Sequence, residues 1–238
     1  MTPLVHLQQC ISTNDEIIGY FTLNETEKTA VYTFNQTKGR GQYGNAWEMS
    51  PNQNLAFSFC IRKDKINAPH ILFNYHTALL FQEFFANMTN SEVKIKWPND
   101  LIIKNKKIAG ILIEAKKIEN TEVFIIGIGV NVLQTNFDNL PKAGSILTQS
   151  GIEIELHVLA STLFAYLIKN ISLVSSEEEL LEKFNHHLFK KNEISVFDIK
   201  GIRQNGIIKK ADNEGFLWIE LENDGLQKFY NQEISLLY

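Results

Sequence analysis

A glycine-rich segment at residues 39–44 is the first of four stretches whose residue types could do chemistry. Its sequence, GRGQYG, follows an apolar run typical of a strand, but it is neither a GxGxxG motif that opens a helix nor a P-loop. A Rossmann-type dinucleotide site is therefore disfavoured. Such a segment can expose backbone N–H groups to an anion, and Arg40 adds a bidentate positive charge. An ordinary glycine-rich surface loop explains the pattern equally well.

The second stretch, KWPND at residues 96–100, brings a lysine and a carboxylate together. Pro98 keeps Trp97 out of the α region, so the chain is expected to leave a strand through a turn that presents Lys96 beside Asp100. An aspartate beside lysines can hold Mg²⁺ on a nucleotide, because Mg²⁺ prefers one or two carboxylates plus phosphate oxygens. From spacing alone, a turn with a capping aspartate is the more frequent outcome.

The chain around this second stretch is rich in lysine. Residues 94–117 contain seven lysines against Asp100 and Glu114. A solvated strand edge is the usual origin of such a run, and a site for a polyphosphate or a carboxylate is the sharper alternative.

The third stretch, KKIAGILIE at residues 106–114, is a strand-like run with Gly110 in its interior. A glycine inside a strand marks the close approach of a ligand or of neighbouring backbone. The run GIGVN at residues 127–131 shows the same feature in the next predicted strand. Two such strands side by side could form the floor of a slot for a flat, apolar ligand. Tight strand packing is the other interpretation.

The fourth stretch is the STN triplet at residues 12–14, directly before DEII. This pattern predicts a helix N-cap followed by the first helical turn. Hydroxyl groups at that point would also lie beside the N–H groups of a helix end, where a polar ligand group can bind. No GxSxG or other nucleophile motif occurs in the sequence, so covalent hydrolase chemistry has no candidate residue.

The elements that must position these stretches alternate between strand-like and helix-like patterns. The hydrophobic periodicity predicts helices over Pro69–Met88, over residues 156–171 and from Ser176 onwards, the last with a Ser176 to Glu179 capping-box pattern. We therefore predict an α+β fold in which a central mixed sheet is flanked by helices. Its strands are predicted at residues 29–34, 54–61, 92–97, 107–115 and 121–132.

The pattern changes after about Lys191 to short strand-like runs. Turn-forming residues interrupt them at Asn205-Gly206, at 213–215 and at 223–225. We therefore predict two domains, a main domain at 1–190 and a small barrel-like β domain at 191–238. The runs lie at residues 194–200, 206–210, 216–221, 226–230 and 234–237.

The composition limits the class of protein. Lys and Arg number 23 against 27 Asp and Glu, a formal net charge of −4, which argues against binding to nucleic acid. A hydrophobic content of 44% with only 5 prolines favours an ordered core. No apolar run approaches the roughly 18 residues needed to cross a bilayer, and no signal-peptide pattern is present. Cys10 and Cys60 have no CxxC or histidine partner, so we expect buried thiols of a cytoplasmic protein with no membrane association.

Taken in order, these motifs closely resemble those of the biotin protein ligases. The motifs are STN, Gln36 followed by GRGQYGNAW and SPNQNL, then KWPNDL, KIAGILIE and GIGVNV, and the resemblance extends to the ending DGLQKFYNQEISL. It implies a biotin/lipoate ligase-like catalytic domain with a small SH3-like β-barrel at the C-terminus. It also implies that biotin and MgATP react to biotinyl-5′-AMP and pyrophosphate. A lysine of a biotin carboxyl carrier domain, in acetyl-CoA carboxylase or another biotin-dependent carboxylase, then takes the biotin.

The resemblance also assigns roles to individual residues. Lys107 would contact the biotin carboxyl group and the α-phosphate, and Arg40 would contact the phosphate and order the glycine loop. Lys96 and Asp100 would serve the polyphosphate and its Mg²⁺. The implied biotin contacts are Ser12, Thr13, Asn14, Gln36, Arg40, Gly41, Gln42, Lys107, Gly110, Leu112, Gly127 and Ile128. The implied nucleotide contacts are Arg40, Trp47, Lys96, Asp100, Lys107 and Asn131.

Two features distinguish this chain from many members of the family that it resembles. Many relatives have a second arginine where this chain has Gln42, so one charge that would help to retain the adenylate is missing. The STN motif begins almost at the first residue, so we expect a ligase without an N-terminal DNA-binding domain and without a repressor function. A lipoate ligase and a biotin-binding regulator without catalysis are the competing hypotheses, and both a monomer and a homodimer are compatible with the sequence.

Overall fold

The computed structural model describes residues 3–21 and 28–238, and fourteen strands and five helices lie within these ranges. The strands are β1 Leu4–Leu7, β2 Lys28–Thr33, β3 Gly39–Arg40, β4 Ala46–Trp47, β5 Asn54–Arg62, β6 Lys94–Lys96, β7 Asp100–Ile103, β8 Lys106–Ile118, β9 Thr121–Asn131, β10 Ile194–Ile199, β11 Ile202–Ala211, β12 Leu217–Leu221, β13 Gly225–Phe229 and β14 Ser235–Leu237. The helices are α1 Thr13–Tyr20, α2 His70–Thr89, α3 Ile146–Ser150, α4 Leu156–Asn170 and α5 Glu177–His186.

Seven of the strands form the main sheet, in the order β1-β2-β5-β9-β8-β7-β6. Strands β1 and β2 pair in parallel, and every other neighbouring pair is antiparallel. The predicted mixed sheet with flanking helices is therefore confirmed. Within the described ranges, no helix is both long and apolar enough to cross a membrane.

The alternation of side chains along β5 separates the two faces of this sheet. Leu55, Phe57 and Phe59 are buried in the larger core cluster, which also contains residues of α2, α4 and α5. Cys60 belongs to a second, smaller cluster that includes Ile17 of α1. Because successive strand residues point to opposite faces, Ser58 lies on the α1 side of the sheet. That face carries the candidate site.

The last five strands of the chain form a five-stranded antiparallel sheet, in the order β13-β12-β11-β10-β14. The predicted strands are confirmed, but the predicted barrel is not. Among the described residues, β13 and β14 each pair with a single neighbour, so the sheet is open rather than closed into a barrel. Its buried residues Phe197, Ile219 and Leu221 belong to the same core cluster as the main sheet. The domain boundary at residue 190 stays a prediction.

The structure corrects several sequence-based assignments. Strands β1 and β7 and the short helix α3 were not predicted, because each has five residues or fewer and so too little periodicity to detect. Asn205-Gly206 was predicted to be a turn but lies inside β11. The chain turns instead at Lys200-Gly201, where both residues have positive φ angles of 51° and 88°. These conformations suit a tight two-residue hairpin.

We expect the Gly206→Ala substitution to destabilise the protein by about 1–3 kcal/mol, because added volume in a packed core forces its neighbours apart. A Cβ atom at this position would lie 3.0 Å from Ile219 Cγ2 and 3.0 Å from Leu221 Cδ2. Urea unfolding measures the change. Gly19→Ala is the matched control, since nothing lies within 4 Å of its Cβ position on α1, and we expect it to stabilise by about 0.5–1 kcal/mol. Equal effects of the two substitutions would contradict the packing argument.

Candidate functional site

A cavity of about 1000 Å³ opens on the α1 side of the main sheet. Its walls come from the start of α1, the glycine-rich hairpin β3–β4, the ends of β6 to β9, the segment after β9 and the last residues of the chain. All sixteen residues predicted as site residues line this cavity. Their proximity is therefore a structural fact, while their individual roles stay predictions.

The STN triplet begins helix α1 and also supplies a polar wall of the cavity. Ser12 has the extended N-cap conformation, but its side chain makes no capping hydrogen bond. The Thr13 backbone N–H donates to Gln36 Oε1 at 2.8 Å. Asn14 Nδ2 donates to Glu114 Oε2 at 2.7 Å. The predicted N-cap and first helical turn are confirmed, although the cap has no side-chain hydrogen bond, and the polar side chains of the triplet face the cavity.

Ser58 is a member of this polar wall that the sequence did not reveal. Its Oγ lies 2.8 Å from Thr13 Oγ1 and 2.6 Å from Asn14 Oδ1. It is fully buried, and it sits between phenylalanines in a predicted buried strand. The sequence signal that could have identified Ser58 is a lone polar residue in a buried strand, because a buried hydroxyl needs a hydrogen-bond partner.

The two strands with interior glycines, β8 and β9, lie side by side as predicted, and their glycines form what we call the glycine floor. Gly110 pairs with Gly129, and Leu112 pairs with Gly127, across β8 and β9. A Cβ atom at Gly127 would overlap the Asn14 amide, and one at Gly129 would overlap the Trp47 indole ring. The glycines therefore allow side chains from outside the sheet to lie directly on its backbone.

Trp47 covers much of this glycine floor. Its ring would lie 3.1 Å from a Cβ atom at Gly110, and the Lys107 ammonium lies 5.4 Å from the ring centre. Its Nε1 is buried and has no hydrogen-bond partner among the described residues. A buried indole N–H without an acceptor is costly, so this ring is suited to move when a ligand enters.

A cluster of charges borders the glycine floor. Lys107 Nζ lies 2.7 Å from Asp100 Oδ1, and Lys96 Nζ lies 3.6 Å from Asp100 Oδ2. The Asp100 carboxylate is only 14% exposed, so these charges are partly shielded from solvent. Both of its oxygens already face ammonium groups. No cluster of three His, Cys, Asp or Glu residues is present in ranges 3–21 and 28–238, so Mg²⁺ bound here would take most of its ligands from phosphate and water.

The lysine run is divided between the cavity and the surface. Lys96 and Lys107 line the cavity. Lys94 pairs with Glu92, and Lys116 lies 3.6 Å from Asp15, so these two are ordinary surface ion pairs. Lys94 and Lys96 are two residues apart in β6 and so lie on the same face of the strand, and their position along the strand rather than alternation separates the surface lysine from the cavity lysine.

The glycine-rich segment forms a small hairpin whose arginine is held by carboxylates. Arg40 Nη2 lies 2.8 Å from Asp15 Oδ1 and 3.3 Å from Glu114 Oε2. Gln42 Oε1 accepts a hydrogen bond from Asn231 Nδ2 at 3.1 Å, which links the hairpin to the C-terminal sheet. The hairpin therefore covers the cavity between α1 and the C-terminal strands.

Asn131 braces the wall of the cavity. Its Nδ2 donates to the Gly144 carbonyl at 2.9 Å, and the residue is buried. The sequence placed it near a nucleotide. The structure places it on the cavity while its amide N–H group holds the segment after β9.

The two cysteines play no part in this cavity. Both are free and buried, as predicted. Burial raises the pKa of Cys60 to about 12, and burial together with the nearby Glu16 and Asp15 raises the pKa of Cys10 to about 11. A raised pKa disfavours the thiolate at neutral pH, so neither cysteine is a candidate nucleophile.

Comparisons with known proteins agree with this geometry. A family model described as the biotin/lipoate A/B protein ligase family matches residues 8–131. The bifunctional ligase/repressor BirA of Escherichia coli strain K12 is 28% identical over 210 residues, which are 84% of this chain and 64% of that protein. The biotin–[acetyl-CoA-carboxylase] ligase of Paracoccus denitrificans is 32% identical over 114 residues, 47% of this chain and 45% of that protein.

A solved structure shares the fold over the whole length of the chain. It is a biotin protein ligase from Aquifex aeolicus in complex with biotin and ATP, with a TM-score of 0.81 and 23% identity. The alignment covers 100% of this chain and 99% of that chain. The C-terminal sheet is therefore part of the shared architecture.

Proposed function

Because this chain belongs to the biotin/lipoate A/B protein ligase family, we propose that it joins biotin to ATP as biotinyl-5′-AMP and then transfers the biotin to a lysine of a carrier protein. The observation that carries the proposal is the meeting of three features in one cavity. They are the glycine floor, the polar wall of the STN triplet and the cluster of Lys96, Asp100 and Lys107.

The charge cluster suits the first chemical step. Attack of a biotin carboxylate oxygen on the α-phosphorus brings two anions together, so cations must neutralise the charge that develops. We assign Lys107 to the biotin carboxylate and the α-phosphate, and Lys96 and Asp100 to the polyphosphate and its Mg²⁺. The pairing of Lys107 with Asp100 keeps its ammonium group positioned before the substrates arrive.

The polar wall and the glycine floor suit the biotin ring system. A bicyclic ureido ring is flat and largely apolar, with N–H donors and a carbonyl acceptor at one end. Residues Ser12, Thr13, Asn14 and Gln36 offer both donors and acceptors, and the glycine floor lies beside them. We assign the ring to the space over Gly110, Leu112, Gly127 and Ile128, and the adenylate to the side of Trp47 and Asn131.

Closure of the glycine-rich hairpin would protect the reactive intermediate. An acyl-adenylate hydrolyses in water, so exclusion of solvent raises its yield. Arg40, Gly41 and Gln42 of this hairpin line the cavity, so they lie where they can exclude solvent from the intermediate. That this loop is mobile without ligand stays a prediction.

We propose that the acceptor is the biotin carboxyl carrier domain of acetyl-CoA carboxylase or of another biotin-dependent carboxylase. The name of the Paracoccus relative, a biotin–[acetyl-CoA-carboxylase] ligase, supports this choice. We also propose a cytoplasmic location, since both cysteines are free and such thiols are typical of a reducing compartment. We assign residues 1–190 to catalysis, with residues 191–238 contributing Asn231 and the last strand to the cavity wall.

Pyrophosphate exchange into ATP, run with biotin, with lipoate and with neither, tests the proposed activity. Exchange that depends on biotin alone is the expected result. Exchange with lipoate instead would keep the fold and overturn the substrate. The absence of exchange, with biotin binding still seen by calorimetry, would favour a ligand sensor.

Biotin binding is expected to change the fluorescence of Trp47, because this ring covers the floor that the ligand would occupy. The Trp47→Phe variant should lose most of the change in a biotin titration. Trp218→Phe is the matched control, since Trp218 lies on β12 and donates to Asp212 Oδ2. A full response in the Trp47→Phe protein would show that this ring stays in place when biotin binds.

A further inference from the structure

A third lysine faces the charge cluster from a part of the chain that no motif marks. Lys142 lies in the segment between β9 and α3 and lines the same cavity as Lys96 and Lys107. Among the described residues, Asp100 is the one side-chain carboxylate that forms an ion pair within this group, and its partners are Lys96 and Lys107. Three lysines against one aspartate leave a formal charge of 3 − 1 = +2, so the cluster has unused capacity for an anion.

The backbone of Lys142 is fixed directly beside Lys107, the second residue of β8. The Lys107 N–H donates to the Lys142 carbonyl at 2.8 Å, and the Gly144 N–H donates to the Lys107 carbonyl at 3.0 Å. Lys106 Nζ donates to the Pro141 carbonyl at 2.5 Å, and the Asn131 amide holds Gly144. These bonds restrain the segment, so Lys142 is a positioned residue rather than a lysine on a free loop.

The side chain of Lys142 is also held in place, by an aromatic ring. Its Nζ lies 4.5 Å from the centre of the Tyr238 ring, and Lys96 Nζ lies 6.0 Å from the same centre. Phe189 packs edge-on against Tyr238 at 5.0 Å between ring centres. A cation over an aromatic face is attracted by the ring quadrupole, so Tyr238 steers both lysines toward the cavity.

The electrostatics of this group of residues favour an incoming anion. Partial burial and the nearby charge of Lys96 lower the pKa of Lys142. Burial and the charge of Asp100 raise the pKa of Tyr238 to about 12, so the ring stays a neutral phenol. A polyanion placed between the lysines would relieve their mutual repulsion.

We propose that Lys142, held by Tyr238, binds the β- and γ-phosphates of ATP and stabilises the departing pyrophosphate. In the adenylation step a carboxylate oxygen of biotin forms a bond to the α-phosphorus. The bond from the α-phosphorus to the oxygen that bridges to the β-phosphorus breaks, and that oxygen leaves with the electron pair. Lys142 lies on the side of Lys96 and Tyr238, where the leaving charge can be neutralised. This inference rests on the proposed function.

The test compares ligands that have the two terminal phosphates with one that lacks them. Calorimetry on the Lys142→Ala protein should show about tenfold weaker binding of MgATP and of pyrophosphate, in line with the loss of a charged hydrogen bond, and unchanged binding of AMP. Lys142→Arg should retain most of the affinity. Lys209→Ala is the matched control, because Lys209 pairs with Glu220 on the C-terminal sheet, away from the cavity.

The outcomes separate this inference from the proposed function. Equal losses for ATP and AMP, or no loss for ATP, would overturn the role of Lys142 even in an active ligase. Selective loss of ATP and pyrophosphate binding in a protein without biotin-dependent exchange would retain Lys142 as a polyphosphate ligand and reject the ligase activity. A raised KM for ATP with an unchanged KM for biotin is the expected kinetic counterpart.

Discussion

Replacing Lys107 with alanine should lower the rate of biotin-dependent pyrophosphate exchange by about 10²–10³-fold, the usual cost of removing one preorganised charge-stabilising group. Lys107 Nζ is placed between Asp100 and the Trp47 ring, at the border of the charge cluster and the glycine floor. It is the lysine best situated to touch both reacting anions. Its loss would also leave the partly shielded Asp100 carboxylate with only the longer contact to Lys96, adding repulsion toward the triphosphate.

Two further variants isolate the charge and its position. Lys106→Ala removes the neighbouring lysine, which instead donates to the Pro141 carbonyl, and should reduce exchange far less. Lys107→Arg keeps the charge but not the compact ammonium geometry, so we expect intermediate activity. Exchange at the normal rate in Lys107→Ala, with the protein folded by circular dichroism, would remove Lys107 from the chemistry.

The sequence was sufficient to find the cavity because its residues come in short, local motifs. The glycines at 110, 127 and 129 interrupt strands where no packing reason is visible, and the structure shows that Asn14 and Trp47 use those gaps. The same local logic placed the helix N-cap at Ser12 correctly but did not reveal the polar contacts of Thr13 and Asn14. Burial of the STN triplet against β5 depends on how the sheet pairs, which local spacing does not encode.

The residues that the sequence did not reveal are brought in by tertiary structure. Lys142 reaches the charge cluster through a backbone bridge to β8, and Tyr238 reaches it from the last residues of the chain. Neither belongs to a run with a chemical signature. At Gly206 the sequence predicted a turn that the structure does not have. An Asn-Gly pair is a strong turn signal, but packing against β12 keeps this pair inside β11.

Arg40 is the second residue whose loss should have a large effect, and the effect should fall on retention of the intermediate. It is the one arginine in the glycine-rich segment, because Gln42 stands where the resemblance to the biotin protein ligases predicts another. Here its guanidinium pairs with Asp15 and Glu114. These ion pairs are partly exposed and therefore weak, so a phosphate can displace them. We expect Arg40→Ala to release biotinyl-5′-AMP about 10–100-fold faster, because the variant loses one bidentate charged contact to the phosphate.

Release can be followed after a single turnover without carrier. A filter that retains the protein separates bound biotinyl-5′-AMP from the free biotinyl-5′-AMP that passes through. Arg203→Ala is the matched control, because Arg203 is an exposed arginine on β11 that lies 3.6 Å from Asp198. Gln42→Arg should act in the opposite direction and slow release, since it adds a second guanidinium to the hairpin. Unchanged release from Arg40→Ala would mean that hairpin closure depends on the backbone N–H groups and on the Gln42 to Asn231 contact instead.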